Sequence, residues 1–260
     1  MKKITTLLIA LLMVAVSVLS FASCNALKTE EVINKGIENT SKLTEFEANM
    51  NMVIDMKMTG MTMNMPMSVN MKVKDADKEN PITYALMSME VMGQKMETES
   101  YMDGEYVYIV DEGESGYKIS IEDAEGEYDY SEELNENFQK LPEDLLKDIE
   151  LVKGEDGSYK VTVNIPDETF KELYGDLLDE VSEASLGEVF DGLSITNCVV
   201  TVTVKDDYAT NYDLSFKMVM EVEGMEVTAD VTADYEIVNP GKSVTITPPE
   251  GYEDFEEFGW

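Results

Sequence analysis

Two hydrophobic periods divide this chain, one near 3.6 residues and one of two. Asn25 to Ser41 carries Val32, Ile33 and Ile37, with Leu43 just beyond, at spacings of three to four, which predicts a tether running into one amphipathic helix. From Phe46 the period is two. Phe46, Ala48, Met50, Met52, Ile54, Met56 and Met58 alternate with residues such as Glu47, Asn49, Asn51, Asp55 and Lys57. Then Met61, Met63, Met65, Met67, Val69, Met71 and Val73 alternate with Thr62, Asn64, Pro66, Ser68, Asn70 and Lys72, with Gly60 between the two runs as the turn. This pattern predicts a long antiparallel hairpin with one apolar and one wet face. Its first strand is roughly 43 Å long at about 3.3 Å per residue, so it has to coil. Pro66 points to an edge or bulge position.

The meander continues through Ile82 to Val91, Gln94 to Met102, a tight turn at Asp103-Gly104, Tyr106 to Val110 and Tyr117 to Ile121. Met87, Met89 and Val91 differ in parity from Ile82, Tyr84 and Leu86, which predicts a bulge between them. A helical pattern at Leu134, Phe138, Leu141, Leu145, Leu146 and Ile149 follows, with Ser131 as its cap and Pro142 as a break. Leu151-Val152 and Tyr159 to Ile165 flank the turn residues Glu155-Asp156-Gly157. Asp167 then caps a predicted helix through Phe170, Leu173, Tyr174, Leu177, Leu178 and Val181. Three long strands follow, Leu193 to Lys205, Tyr212 to Val222 and Met225 to Ile237. In the second, Leu214, Phe216, Met218 and Met220 share one face, and Glu223-Gly224 forms the turn to the third. A last strand is expected at Ser243 to Thr247, before an acidic, aromatic tail from Glu250 to Trp260. The fold class is therefore α+β, a strongly curved, mostly antiparallel sheet of about 10–11 strands wrapped around a few helices, because an apolar face this long must close by curling over them. The hairpins Met50 to Val73 and Leu214 to Ile237 look alike, which a duplication or the period alone would produce.

The N-terminus changes the picture from shape to place. Met1-Lys2-Lys3 precedes the apolar run Ile4 to Val18, a signal-peptide pattern too short for a membrane span. Phe21-Ala22-Ser23-Cys24 resembles a bacterial lipobox, although its first position departs from the usual Leu. Such signals are cut before the cysteine and a diacylglycerol is attached to its sulfur, so Cys24 is the expected lipid attachment site. The expected organisation is residues 1–23 as signal peptide, 24–30 as lipidated tether, 31–249 as one domain and 250–260 as tail. Cys198 is then the one other cysteine, in a strand-like context that suits a small buried hydrophobe, and no disulfide forms within the mature monomer.

Composition sets limits on chemistry. Asp and Glu number 54 against 19 Lys and Arg, a net charge of −35, and all of those cations are lysine. With no His and no Arg, a histidine base, a histidine-ligated metal, a Ser-His-Asp or Cys-His nucleophile and an arginine clamp on phosphate all fall away. So acidic a surface repels nucleic acid. No pair of carboxylates is singled out by spacing, so no enzyme activity, catalytic residue or cofactor is expected. Of 19 Met, 14 lie between Met50 and Met102. They read as plain core, as an adaptable lining for flexible apolar ligands, or as thioether ligands for a soft metal such as Cu(I), although the lack of His and of a nearby second Cys argues against the last. Asp75, Asp77 and Glu79, or Glu122 to Asp129, offer oxygens to Ca²⁺ but fit a solvated acidic surface better.

Together the lipobox, the short helix, the long one-sided strands, the helical insertion and the C-terminal stretch from Ala233 through Asn239-Pro240-Gly241-Lys242 to Pro248-Pro249 resemble the LolA-like superfamily, and within it the Gram-positive lipoproteins related to LppX and LprG. The resemblance implies a half-barrel, a curved sheet enclosing helices, with an apolar concavity that binds or shuttles acyl chains or lipoproteins. This chain departs from that group in its acidity and its methionines. The expectation is a monomeric lipoprotein held by Cys24 on the outer face of the cell membrane and binding a lipid or other apolar ligand. Ligand-facing candidates are Met50, Met52, Ile54, Met56, Met58, Met61, Met63, Met65, Met67, Val69, Met71, Leu214, Phe216, Met218 and Met220. The rival expectation is a structural, sensing or docking module filled by its own side chains.

Overall fold

The two-residue period beginning at Phe46 becomes strand, and it builds the middle of the molecule. The computed structural model describes residues 29–58, 60–78, 81–91, 93–111, 116–121, 151–171, 190–222 and 225–258. Strands β1 (Glu45–Met58) and β2 (Met61–Lys74) pair antiparallel without a break, Met58 opposite Met61, Met56 opposite Met63, Ile54 opposite Met65 and Met52 opposite Met67. Gly60 in the turn has φ 79, a left-handed conformation that costs glycine little. The meander runs on through β3 (Ile82–Val91), β4 (Gln94–Met102), β5 (Tyr106–Asp111) and β6 (Tyr117–Ser120). A second group comprises β7 (Leu151–Lys153), β8 (Tyr159–Ile165), β9 (Phe190–Lys205), β10 (Tyr208–Val222) and β11 (Met225–Val238), and β12 (Glu256–Glu257) closes the chain. All twelve form one open sheet in the order β12-β6-β5-β4-β3-β2-β1-β11-β10-β9-β8-β7. Every pairing is antiparallel except that of β12 with β6.

One face carries the core. Met50, Met52 and Ile54 of β1, Met65 and Met67 of β2, and the alternate residues of β8 to β11 form a single buried cluster. Helix α1 (Thr29–Ser41) lies on this face against β9 and β10, with Ile37 buried and Val32 and Ile33 packed beside it. Its docking is specific. Thr40 Oγ1 donates to the Ala209 carbonyl at 3.2 Å and accepts from the Ala209 N–H at 3.0 Å. Asn39 Nδ2 donates to the Asp207 carbonyl at 2.9 Å, and Lys35 Nζ reaches the Asp207 carboxylate at 2.7 Å. These contacts hold the β9–β10 turn, where Asp206 and Asp207 both have positive φ. Gly36 allows the approach, since a Cβ there would stand 2.8 Å from both methyls of Val204 and 3.2 Å from the Ala209 nitrogen.

Three expectations need correction. The expected strand at Ser243 to Thr247 is irregular; its Val244 N–H donates to Glu45 Oε2 at 2.9 Å, and the last strand is instead the two-residue β12, outside the expected set. The predicted bulge in β3 is absent, because β3 pairs without a register shift with both β2 and β4. Its two apolar sets simply face opposite ways, and the outward Tyr84 extends a row through Tyr101 to Tyr108, on which Tyr252 packs edge-on at 5.3 and 5.0 Å. The helix from Asp167 starts as read over residues 167–171, but the Asp167 carboxylate accepts from the Asn197 N–H at 2.8 Å, tying the helix to the bulge in β9 at positive-φ Asn197. Pro66 lies opposite Val53 one residue before the β2–β3 ladder begins at Met67, so its missing N–H falls at a ladder's edge, as its position predicts. The signal peptide, Cys24, the helical pattern from Leu134 to Ile149 and the helix beyond residue 171 lie outside the described residues.

The Gly36 contact yields a test. Gly36→Ala raises intrinsic helix propensity by about 1 kcal/mol, yet is expected to destabilise the fold by about 1–3 kcal/mol through overpacking against Val204. Lys35→Ala, which removes an exposed ion pair, should cost less than about 1 kcal/mol. Urea unfolding of the two variants checks the order, and a stabilised Gly36→Ala would show that α1 does not sit this close.

Candidate functional site

Register alone brings the methionines together. With side chains alternating across each strand, Met50, Met52, Ile54, Met56 and Met58 of β1 share a face with Met61, Met63, Met65, Met67, Val69 and Met71 of β2. Met67 lies opposite Met89 of β3, and Met89 opposite Met96 of β4, so the methionine row crosses four strands. On the other side of β1, Met56 is opposite Ala229 and Ile54 opposite Val231, and those residues are opposite Met218 and Phe216 of β10. All fifteen sequence-predicted apolar candidates therefore sit on one face of one sheet.

Burial then divides them. Met50, Met52, Ile54, Met65 and Met67 are closed off, as are Leu214, Phe216, Met218 and Met220, with Met52 and Met218 each only 1% exposed. Met56, Met58, Met63, Val69 and Met71 are half-buried, and Met61 is 50% exposed. The same gradient continues sideways. The facing residues of β8 to β10 are largely sealed, whereas Met87, Met89 and Val91 of β3, Val107 and Ile109 of β5 and Ile119 of β6 are all half-buried and Met96 is 41% exposed. Exposure of the methionines rises toward the β1–β2 and β3–β4 turns, and Met225 beside the β10–β11 turn is 45% exposed, while Met220 and Val227 next to it stay buried. Sulfur is thus spread from the sealed centre to an open rim.

The opposite face is wet and acidic. Asn51, Asp234, Asp213, Thr201 and Thr162 stand opposite one another in a row across five strands. Asp213 and Asp234 line a depression of about 370 Å³ whose walls include Val53, Val199 and Thr232, on the side of the sheet away from the methionines. Burial raises the Asp213 pKa, and its hydrogen bond to Asp234 together with the Asp234 charge raises it further, against a smaller opposing pull from Lys160. Sequence reading missed this pair because nothing but register sets the two acids side by side. Nearby, Lys57 reaches Asp230 at 2.8 Å and Asn64 donates to Asp55 at 2.7 Å.

Other candidate chemistry stays apart. Cys198 is buried, and that burial, with the Asp167 charge adding to it, pushes its thiol up to about 12, which suits the packing role read for it and leaves it protonated at neutral pH. Among the described residues no group of three or more Asp, Glu or Cys side chains is placed to hold a metal ion, and Asp75 pairs with Lys78 at 2.8 Å. No described helix is long and apolar enough to cross a membrane.

Residues 28–250 match a family model described as a family of unknown function, DUF6612. No curated protein matches the chain. Among solved structures, LprF from Mycobacterium bovis is 15% identical, covering 86% of this chain and 97% of that one, with a TM-score of 0.42. A DUF1329 family protein from Desulfovibrio piger is 11% identical over 84% of this chain and 95% of that one, at a TM-score of 0.26. A beta-barrel-like DUF1849 protein from Brucella abortus is 9% identical over 76% of this chain and 99% of that one, at 0.18.

The acid pair gives a pH prediction. A carboxyl whose pKa is raised by folding favours the protonated form in the native state. Its contribution is full below its ordinary value of 3.8 and is lost as pH rises through the folded pKa. Asp213→Asn keeps a hydrogen-bond donor toward Asp234 without titrating. It is expected to raise stability at about pH 7 and to flatten the fall in stability from about pH 4 upward. Urea midpoints across that range decide it, and a slope equal to wild type would show that the two carboxyls do not share a proton.

Proposed function

This chain belongs to the family of unknown function DUF6612, and we propose that it is a lipid-anchored lipoprotein of the cell envelope whose sheet forms a half-barrel that binds a lipid or other apolar ligand on its methionine face. The burial gradient carries this reading. A sheet face sealed throughout would have no room for a ligand, and one exposed throughout would aggregate. This face is sealed over β8 to β10 and partly open over β3 to β6 and the adjoining ends of β1 and β2. Methionine suits the open part, because an unbranched thioether repacks around a flexible acyl chain at lower cost than a jigsaw of Leu and Ile would. In this reading Met87, Met89, Met96 and the rim ends of β1 and β2 meet the ligand, while Leu214, Phe216, Met218 and Met220 support them from behind. The anchor is Cys24, acylated after cleavage of residues 1–23, and the acidic outer face keeps the monomeric domain off anionic headgroups. The rival, a module filled by its own side chains, draws on the sealed half alone.

Native mass spectrometry of the gently extracted protein is expected to find an apolar ligand, and the purified chain to bind a fluorescent fatty acid. Met96→Asp, at an exposed place on the face, should weaken that binding at least about tenfold, or about 1.4 kcal/mol, while costing the fold less than about 0.5 kcal/mol. A ligand-free chain that ignores fatty acids would sink the carrier reading. Cys24→Ala should leave the membrane fraction, and its persistence there would contradict the anchor.

A further inference from the structure

Met56 and Met58 of β1 and Met61 and Met63 of β2 occupy the end quadrant of the methionine face, Met58 directly opposite Met61 and Met56 directly opposite Met63. All four are half-buried or exposed, in contrast to Met65 and Met67 in the next two rows inward. We propose that this quadrant is a thioether site for a soft monovalent cation, Cu(I), held by sulfur alone.

Geometry comes first. Directly opposed residues on an antiparallel pair have Cβ atoms about 4.5–5.5 Å apart, and residues i and i+2 on one strand project from the same face. Each sulfur lies two bonds beyond its Cβ on an unbranched chain, so four side chains in this two-by-two array can turn their sulfurs toward one point between them. The position is also accessible, because Met61 at the hairpin tip is half-exposed and Gly60 beside it presents no side chain.

Chemistry then selects the ion. Thioethers are soft and neutral, so they favour Cu(I) and discriminate against the hard cations that the carboxylate-rich surface would attract. Lys57, the nearest lysine in sequence, projects from the opposite side of the sheet and is paired with Asp230. The chain's net charge of −35 raises the local concentration of any cation without supplying a ligand. Packing alone does not account for the residue choice. Burial rewards apolar volume, and Ile54, Val69 and Val73 on the same face show that branched residues fit it, yet at the exposed end every one of the four positions carries sulfur.

The contribution of sulfur is separable from that of apolar volume. Leu conserves the volume and apolar character of Met, and such swaps typically cost less than about 1.5 kcal/mol, but Leu offers no sulfur. The test compares the full chain in detergent with a variant in which Met56, Met58, Met61 and Met63 are all Leu, together with a milder Met61→Leu/Met63→Leu variant in case the first fails to fold. Anaerobic Cu(I) titration against a chromophoric chelator, with copper K-edge absorption of the loaded protein, reads the result. Cys24 and buried Cys198 are present in every form and cancel in the comparison. Wild type is expected to take one equivalent of Cu(I) into a sulfur-only shell. The variants should lose that equivalent, with affinity falling more than about 100-fold, beyond the 10–100-fold that changes around a ligand shell cost, while urea unfolding shows their fold retained. Equal uptake by wild type and both variants overturns the proposal, as does a shell of nitrogen or oxygen ligands.

Discussion

The pairing of β1 with β2 on one side and β11 on the other is the constraint on which the rest of the molecule depends. Side chains alternate along a strand with a period of two, so a slip of one residue would exchange the faces. It would carry Asn49, Asn51 and Asp55 into the core and turn Met50, Met52 and Ile54 out to water. Burying one unpaired carboxylate costs far more than the few kcal/mol that separate folded from unfolded chains, so the register has no near competitor. Once β1 is fixed, β2 and β11 bring the remaining strands into line, and the apolar and acidic residues of the whole sheet are sorted to opposite sides.

The two halves of the sheet meet their exposed surface differently. Over β9 and β10 the inner face is closed by α1, whose approach depends on Gly36 and whose position is set by Thr40 and Asn39 on the β9–β10 turn. Over β4 to β6 it is the outer face that is covered. The C-terminal segment crosses it and sets Tyr252 edge-on against both Tyr101 and Tyr108, with Phe255 6.3 Å from Tyr108. Burial pushes the Asp103 carboxyl up, but the N–H groups of Tyr106 and Glu105 and the Tyr108 hydroxyl overcome it and hold the group below its ordinary value, which fixes the β4–β5 turn beneath that aromatic layer. The segment then adds β12 alongside β6, so the edge strand's open hydrogen-bonding groups are met by a short, acidic strand that discourages pairing with another molecule.

Local pattern and long-range contact account for what could and could not be read beforehand. The hairpins of β1 with β2 and of β10 with β11, the α1 helix and the shared methionine face follow from periodicity within a dozen residues, and the structure has them within a few residues of the expected bounds. The parity change in β3 was visible but ambiguous: a bulge and a strand apolar on both faces look the same until it is known that Tyr84 continues an outer row through Tyr101 and Tyr108, on which Tyr252 packs from far along the chain. The irregular course of Ser243 to Thr247 has the same origin, since among the described residues no strand pairs with it and its Val244 N–H is held by a side chain, Glu45. The Asp213–Asp234 pair was invisible for a different reason. Each acid alternates with apolar neighbours as any wet-face residue does, and their proximity is a property of strand register between β10 and β11.

Volume and sulfur answer to different pressures on the methionine face. At Met52 and Met67, closed off in the core, any apolar residue of similar size would serve, and the cost of losing such a side chain is that of a cavity. At Met61, Met96 and Met225 little apolar area is removed from water, so the hydrophobic effect scarcely distinguishes methionine from a polar residue there. A long apolar side chain held at the mouth of a face is instead worth what it can touch when something arrives. Flexibility then becomes the property that matters, because a side chain without branches can cover an acyl chain in one arrangement and turn its sulfur inward in another. The gradient from sealed to open methionines therefore marks a change along one sheet face from residues whose volume holds the fold to residues whose choice packing alone does not explain.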